Sequence, residues 1–261
     1  MSDKNVSHQV DSLDWYAEKC RATVFTKDRV DSDSLVEVWK SFCEQEPEDI
    51  HKIPRVAATI MTGAFSKIEG ALLELVNEPP KLEWRLASVP NPKFDEVGVP
   101  CIDTLARVLE AFVPNVRAWL ASDKCPALTR LAFGAILNKP STSYLSALTQ
   151  LQTYLRSVQI DTDNMQDLMF RVNRPRQSKS GVSGVTINRL SIWSINRLLS
   201  TEIDLGAPTK EVASTNVYCA NLVLDINNAP RQEPLSREAV LRLFDELLAL
   251  GKEIAAKGDT A

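Results

Sequence analysis

The chain of 261 residues is 44% hydrophobic and 25% charged, which is typical of a globular protein with a core of ordinary size. Its formal net charge of −4 argues against a molecule whose whole surface binds nucleic acid. The five cysteines are widely separated and include no C-x-x-C pair, so we expect reduced thiols and neither a disulfide framework nor a zinc site. Without a signal sequence or an apolar run of about 18 residues, we expect a cytoplasmic protein with no membrane partner.

The first half of the chain, residues 1–138, has the pattern helix, three strands, helix and one further strand. Apolar residues at helical spacing predict a helix over about 33–45, after the short β-prone run "ATVFT". The runs "VAATIMTG", "GALLELV" and "KLEWRLASV" predict the three strands, and the last alternates apolar with charged residues as a half-buried strand does. We expect Pro114 to kink or divide the next helix, and "ALTRLAFGAIL" to form a strand.

The second half, residues 139–261, begins the same order of elements again. The run "STSYLSALTQLQTYLRSV" predicts a helix with Tyr144 and four leucines, including Leu145, on one side. A hairpin of "DLMFRVNR" and "GVTINRLSIWSINRL" follows across the turn "RQSKSGVSG", and "NVYCANLVLDIN" is a third strand. The final segment predicts an amphipathic helix with Ser236 as its N-cap. Its apolar residues extend beyond one narrow stripe, so this face is either buried or a partner surface.

These patterns predict an α+β protein with two similar halves, 1–138 and 139–261. Crossover helices are too few for a doubly wound parallel sheet. We therefore expect mostly antiparallel sheet with helices packed on one face.

The motifs of the common enzymes are missing. The sequence has two histidines, and the one inside the folded region, His51 in "EDIHKIP", has no flanking motif and is expected in a loop. The Walker and dinucleotide-binding glycine patterns are absent, and "SGVSG" reads as a turn between strands. The acids of "DTDNMQD" lack the glycine and the glutamate of a calcium loop. We therefore expect no enzyme, no cofactor and no metal.

A cluster of positive charge is the one unusual feature. The segment from Asp167 to Ser200 holds six basic residues and one acid. Five of the bases are candidates for binding nucleic acid or an acidic partner: Arg171, Arg174, Arg176, Lys179 and Arg189. Trp193, expected on the same outer face, could stack on a base. The alternative is that these cations pair with the chain's own acids, within one protomer or across a dimer.

Several stretches of the second half resemble landmarks of a sporadically distributed family of uncharacterised bacterial proteins: "FRVNRPRQS", "INRLSIWS", "LVLDINNAP" and "LFDELLALGKEIAAKGD". In that family a strand ending in "LDID" precedes a C-terminal helix, whereas here Asn227 stands in place of the second acid. The resemblance covers about residues 165–257 and carries no catalytic residues. It implies a bacterial or phage origin and an accessory role, such as one in phage defence.

Together these observations predict a non-enzymatic cytosolic interaction or assembly protein, with a protein partner or a second copy of itself in a homodimer. The alternative is a nucleic-acid-binding component that uses the basic segment 171–189. A third hypothesis is an enzyme with a carboxylate site at Asp225, which requires a pocket where Asp225 meets another acid or an arginine. Otherwise Asp225 caps the turn that "DINNAP" predicts.

Overall fold

The computed structural model describes residues 13–31, 34–89, 96–203 and 212–260. These residues form an α+β fold, as the sequence predicts. The elements in chain order are β1 (Tyr16–Thr26), α1 (Leu35–Cys43), β2 (Asp49–Ile53), β3 (Ala58–Ala64), β4 (Ala71–Glu78), β5 (Lys81–Ser88), β6 (Asp103–Thr104), α2 (Leu105–Ala121), β7 (Leu128–Ser141), α3 (Tyr144–Tyr154), β8 (Met169–Asn173), β9 (Arg176–Gln177), β10 (Thr186–Ile203), β11 (Val212–Asn228) and α4 (Arg237–Lys257).

All the described strands belong to one eleven-stranded sheet in the order β2-β3-β4-β5-β1-β7-β11-β10-β8, with β6 beside β1 and β9 beside β10. The pairings along this path are antiparallel. The expected hairpin of β8 and β10 is present. Residue 138, where the sequence suggests a division, lies inside β7, and β7 pairs with β1 on one side and with β11 on the other. The sheet is continuous at this point, and the division into halves stays a prediction about the order of elements.

The four helices α1–α4 pack on one face of the sheet, hereafter the covered face. Helices α1 and α2 bring aromatic rings against Trp84 of β5, and the ring of Tyr154 at the end of α3 stacks on Trp193 of β10. Helix α4 crosses β7 at Gly251, where an added Cβ would lie 2.7 Å from Cε1 of Phe133. Glycine at this position therefore lets the helix backbone approach the sheet closely.

The broad apolar face of α4 is buried in the protein's own core. Leu248 is 8% exposed and Leu250 is 2% exposed, so these residues do not form a partner surface. The helix begins where the sequence predicts, because the Ser236 side chain accepts a hydrogen bond from the N–H of Ala239. No helix in the described parts of the chain is long and apolar enough to cross a membrane.

Four local expectations are wrong, one of them in part. His51 lies in the exposed edge strand β2 and not in a loop. Helix α2 is not divided at Pro114, because the turns before and after it bury their apolar residues in the same core, and a kink there stays a prediction. Leu145 is 54% exposed, since α3 turns other residues toward the sheet. Trp193 is fully buried on the covered face, because its neighbour Phe170 on β8 also packs against the core.

The packing of α4 and α3 predicts how two leucine substitutions change the free energy of unfolding. Leu247→Ala should lower the free energy of unfolding by about 2–5 kcal/mol, because it empties a fully buried site beneath α4. Leu145→Ala, the matched change at an exposed helix position, should change it by less than about 0.5 kcal/mol. Urea unfolding followed by circular dichroism measures both. Equal losses would contradict the assignment of Leu145 to the surface.

Candidate functional site

The opposite face of the sheet, hereafter the open face, carries none of the helices α1–α4. Successive side chains on a strand alternate between faces, so each strand sends every second residue here. One cross-strand row on this face runs from β4 to β8 through Glu74, Arg85, Arg21, Gly134, Asp225, Leu190 and Asn173. The segment at Pro100 borders the face at one end, where its carbonyl accepts a hydrogen bond from Asn138.

Arg21 connects the acids of the open face by crossing β7. Its Nη2 lies 3.3 Å from Oδ2 of Asp225, and its Nη1 lies 3.8 Å from Oε2 of Glu83. The side chain passes over Gly134, where an added Cβ would overlap with Arg21 Nε. A residue with any side chain at position 134 would therefore displace Arg21 from this path.

Glu83 is a buried charge with several partners. Its side chain is 1% exposed and accepts hydrogen bonds from Thr23 Oγ1 and Arg85 Nε. Burial alone would raise the pKa of Glu83. The bonds from Thr23 and Arg85, together with the charges of Arg85 and Arg21, outweigh burial and hold that pKa below its usual value. Glu83 therefore remains ionised and fixes the two arginines above it.

A groove of about 510 Å³ runs across the β7, β11, β10 and β8 part of the open face. Its floor is a chain of amide hydrogen bonds: Arg130 and Asn188 both donate to Asn227 Oδ1, at 2.8 and 3.1 Å, and Asn227 donates to Asp225 at 2.9 Å. Asn173 donates to Asn188 Oδ1 at 3.2 Å. Asn227 Oδ1 is thus fully used, and the free guanidinium and amide N–H groups of the groove outnumber the acceptor sites that remain.

Three cations of the open face have no carboxylate within ion-pair distance among the described residues: Lys19, Arg130 and Arg171. Arg130 instead lies over the ring of Phe25, with its guanidinium carbon 4.9 Å from the ring centre. Arg171 lines the far end of the groove. This part of the face therefore has a surplus of positive charge in a chain that is acidic as a whole.

An apolar patch lies beside these cations. One cross-strand row that ends at Arg171 contains Ile136, Val223 and Ile192 as neighbours. Leu190 lies two residues before Ile192 on the same face of β10. Met169, at the β8 edge, is 74% exposed. We call these five residues the open-face patch.

The candidate cations of the basic segment do not share one face. Arg171 is on the open face, whereas Arg176 pairs with Glu246 of α4 at 3.1 Å and Arg174 pairs with Asp259 at 3.3 Å. The expected common outer face is therefore absent, because the chain after β8 packs against α4 and the segment that follows it. Binding by these residues stays a prediction.

Glu246 holds the turn that follows β9. It accepts hydrogen bonds from Ser178 Oγ and from the backbone N–H groups of Lys179 and Ser180. These donors and Arg176 outweigh burial and lower the pKa of Glu246. The Lys179 side chain itself is exposed. Arg174 and Arg176 therefore pair with the chain's own acids, as the alternative interpretation of the basic segment expects.

Arg189 is the most buried of the five candidates, with 8% of its surface exposed. It lies on the covered face, two residues from Ser191 and four from Trp193 on the same side of β10. Burial lowers its pKa, and the charges of Arg176 and Arg174 act in the same direction against that of Glu253. Arg189 therefore offers a partner little accessible surface.

Among the described residues, few groups are candidates for chemical catalysis. No cluster of histidine, cysteine or acid in the described ranges could hold a metal ion. Burial raises the pKa of Cys20 and Cys125 to about 12 and that of Cys219 to about 11, so these thiols are protonated at neutral pH. Asp225 lies inside β11 and not in a turn, and it does meet an arginine in a pocket, as the third hypothesis requires.

The chain matches no protein-family model and no curated protein sequence. Its function is therefore inferred from the geometry of the site.

Sequence reasoning missed Arg21, Glu83, Arg130 and Gly134. The alternation of "KLEWRLASV" does place Glu83 and Arg85 on the face away from the core. What it could not supply is the register, which brings Arg21 of β1 opposite both Arg85 and Gly134.

The lowered pKa of Glu83 makes a prediction about pH. In the folded state this carboxyl is ionised to lower pH than in the unfolded chain, where its pKa is about 4.3. Its contribution to stability is therefore complete above about pH 4.3 and is lost as the pH falls through the lower, folded-state pKa. Glu83→Gln should reduce the free energy of unfolding at pH 7 by about 1.5–3 kcal/mol, the range for hydrogen bonds to a charged group.

The variant should also lose less stability than the wild type between pH 5 and pH 3. Urea titrations across that range measure both effects. Glu69→Gln, at an exposed turn position, serves as the control and should follow the wild type. A parallel pH dependence in wild type and Glu83→Gln would show that Glu83 is not held in its ionised form.

Proposed function

We propose that the protein is a non-enzymatic interaction protein and that its docking surface for an acidic protein partner is the open face of the sheet. The observation that supports this most strongly is the open-face patch, an apolar surface beside unneutralised cations that none of the four helices covers. An apolar centre with arginine at its margin is the common anatomy of protein interfaces.

The chemistry of the partner follows from the charges around the patch. Arg171 and Lys19 stand at opposite ends of the row that contains Ile136, Val223 and Ile192. Neither has a carboxylate partner among the described residues. A partner that brings acids to both ends would neutralise them, and such complementarity also speeds association.

A second copy of the chain is a poorer occupant of the same surface. Two open faces packed together would place two sets of uncompensated cations in one interface, which costs free energy once water is excluded. The apolar face of α4, the other candidate for self-association, is buried in its own protomer.

Nucleic acid is also disfavoured as the occupant. Trp193, the expected stacking residue, is fully buried, and Phe25 on the open face lies under Arg130. Arg174 and Arg176 are engaged with acids of the same chain. What remains is a few cations on a protein of net charge −4, which gives little of the electrostatic affinity that nucleic-acid binding requires.

The carboxylate of Asp225 has a structural role in this proposal. One of its oxygens accepts from Arg21 and the other accepts from Asn227, so both are used within the protein. The pair orients the Asn227 amide, which in turn receives Arg130. A general acid or base would need an oxygen directed at a substrate.

Site-specific photo-crosslinking tests the docking surface. A benzophenone amino acid at Met169, on the open face, is compared with the same residue at Leu145, an exposed apolar position on helix α3. We expect crosslinks in the native cells from position 169 to one acidic protein. The purified partner should then bind the wild type, and Arg171→Glu should weaken that binding by about tenfold or more.

The control variant is Lys252→Glu, an exposed position on α4, which should bind like the wild type. Equal crosslinking from positions 169 and 145 would contradict the proposal. So would crosslinks from position 169 only to nucleic acid or only to a second copy of the chain. The cytoplasmic location and the accessory role in defence that the resemblance implies stay predictions.

A further inference from the structure

The groove beside the open-face patch has a specific arrangement of charged and amide side chains. It is lined by Arg130, Arg171, Asn173, Asn188, Leu190, Asp225 and Asn227, which come from four adjacent strands. We infer that this groove is the recognition site for an extended acidic peptide segment of the partner, with one carboxylate at Arg130 and a second at Arg171. The inference rests on the proposed function and adds the ligand class and its geometry.

The groove offers donors and few acceptors. Asn227 Oδ1 already accepts two hydrogen bonds, from Arg130 and Asn188. Asn188 Oδ1 accepts from Asn173, and Asn173 Oδ1 accepts from the backbone N–H of Arg189. Most of what remains for a ligand is N–H groups of arginine and asparagine, which outnumber the free lone pairs. Such a surface selects a ligand that is rich in acceptors, as carboxylates and peptide carbonyls are.

The charge of the groove points the same way. Asp225 is the one acid in its lining, and it pairs at 3.3 Å with Arg21, a cation that it shares with Glu83. Arg130 and Arg171 have no carboxylate partner among the described residues, so the groove presents two positive charges to a ligand. Guanidinium groups bind carboxylates through paired hydrogen bonds, so each can hold one acidic side chain.

The length of the ligand follows from the register of the sheet. Ile136 shares a cross-strand row with Arg171 and is six residues beyond Arg130 on β7. The Arg130 side chain reaches Asn227 on the next strand, two positions nearer to the Arg171 row. At about 3.3 Å per residue and about 4.8 Å per strand, the remaining four positions and two strand spacings span roughly 16 Å. An extended peptide covers this distance in about five residues, so two acids about five residues apart could reach both arginines.

The middle of the groove suits a peptide backbone with one apolar contact. Leu190 lies between the two arginines, and the amide groups of Asn173 and Asn188 flank it. Each amide has an N–H available in addition to the one it donates within the protein, because a carboxamide carries two. Backbone carbonyls of the ligand are the natural acceptors for these N–H groups.

Fluorescence anisotropy with labelled synthetic peptides tests the inference on the full chain. The peptides carry two glutamates separated by two, four, six or eight positions in a neutral background, all with the same net charge. We expect the tightest binding at a separation of four or six positions, and weaker binding at two and at eight. Raising the salt from about 50 to about 200 mM should weaken it, as for any partly exposed ion pair.

Three variants assign the contacts. Arg171→Gln should weaken binding of the best peptide by about three- to tenfold and should remove the preference for spacing. Arg130→Lys keeps the charge but loses the planar fork, so a smaller loss is expected. Lys252→Gln, on the outer surface of α4, should bind like the wild type. Thermal unfolding of each variant confirms that the fold is intact.

Equal binding of the four peptides, which share one net charge, would overturn the inference, and so would equal effects of Arg171→Gln and Lys252→Gln. A single-stranded DNA that displaces the best peptide at equal concentration would overturn it in favour of nucleic acid. The inference and the proposed function fail in different ways. Crosslinks from position 169 to an acidic protein, with no spacing preference among peptides, would leave the docking surface in place and remove the groove.

Discussion

The two-residue alternation of the central strands is the constraint on which the rest of the structure depends. Strands β1, β7 and β11 each send an apolar side chain to the helices at every second position, and this fixes the covered face. The residues between must then lie on the other face, whatever their chemistry. The charged and amide side chains of these strands are therefore gathered on one surface by the same pattern that builds the core.

Because charges are gathered on one face of the sheet, Glu83 is buried among its neighbours and needs a cation partner. Arg21 is such a partner, and it links Glu83 to Asp225 across β7. This path depends on the missing side chain of Gly134. With those acids paired internally, the cations of the open face left without a carboxylate partner among the described residues are Lys19, Arg130 and Arg171. The positive charge of the open face is therefore what remains after internal pairing. It does not come from the local sequence around Arg171 alone.

Much of the fold follows from the sequence, because periodicity is local. The alternation of "KLEWRLASV" and the stripe of the terminal helix predict which side chains meet the core, and the structure confirms both. The site does not follow, because it depends on pairing between distant segments. Arg21 and Asp225 are 204 residues apart in the chain and meet only through the register of β1, β7 and β11.

The basic segment shows the opposite limit. Its cations are close in sequence, which suggests one binding surface, but neighbouring positions on a strand face opposite ways. Arg171 reaches the open face, while Arg174 and Arg176 reach the acids of α4 and of the segment after it. Density of charge along the chain was therefore a poor guide to density of charge on the surface.

The central claim is that the open face binds an acidic protein, and that neither a second copy of the chain nor nucleic acid occupies it. Light scattering on the pure protein during size-exclusion chromatography tests it most directly, with and without a mixed pool of short RNA and DNA, at about 50 and about 200 mM salt. The account predicts the mass of one chain at both salt concentrations and no co-migrating nucleic acid. A dimer that Met169→Glu converts to monomer, or nucleic acid that is lost at the higher salt, would contradict it.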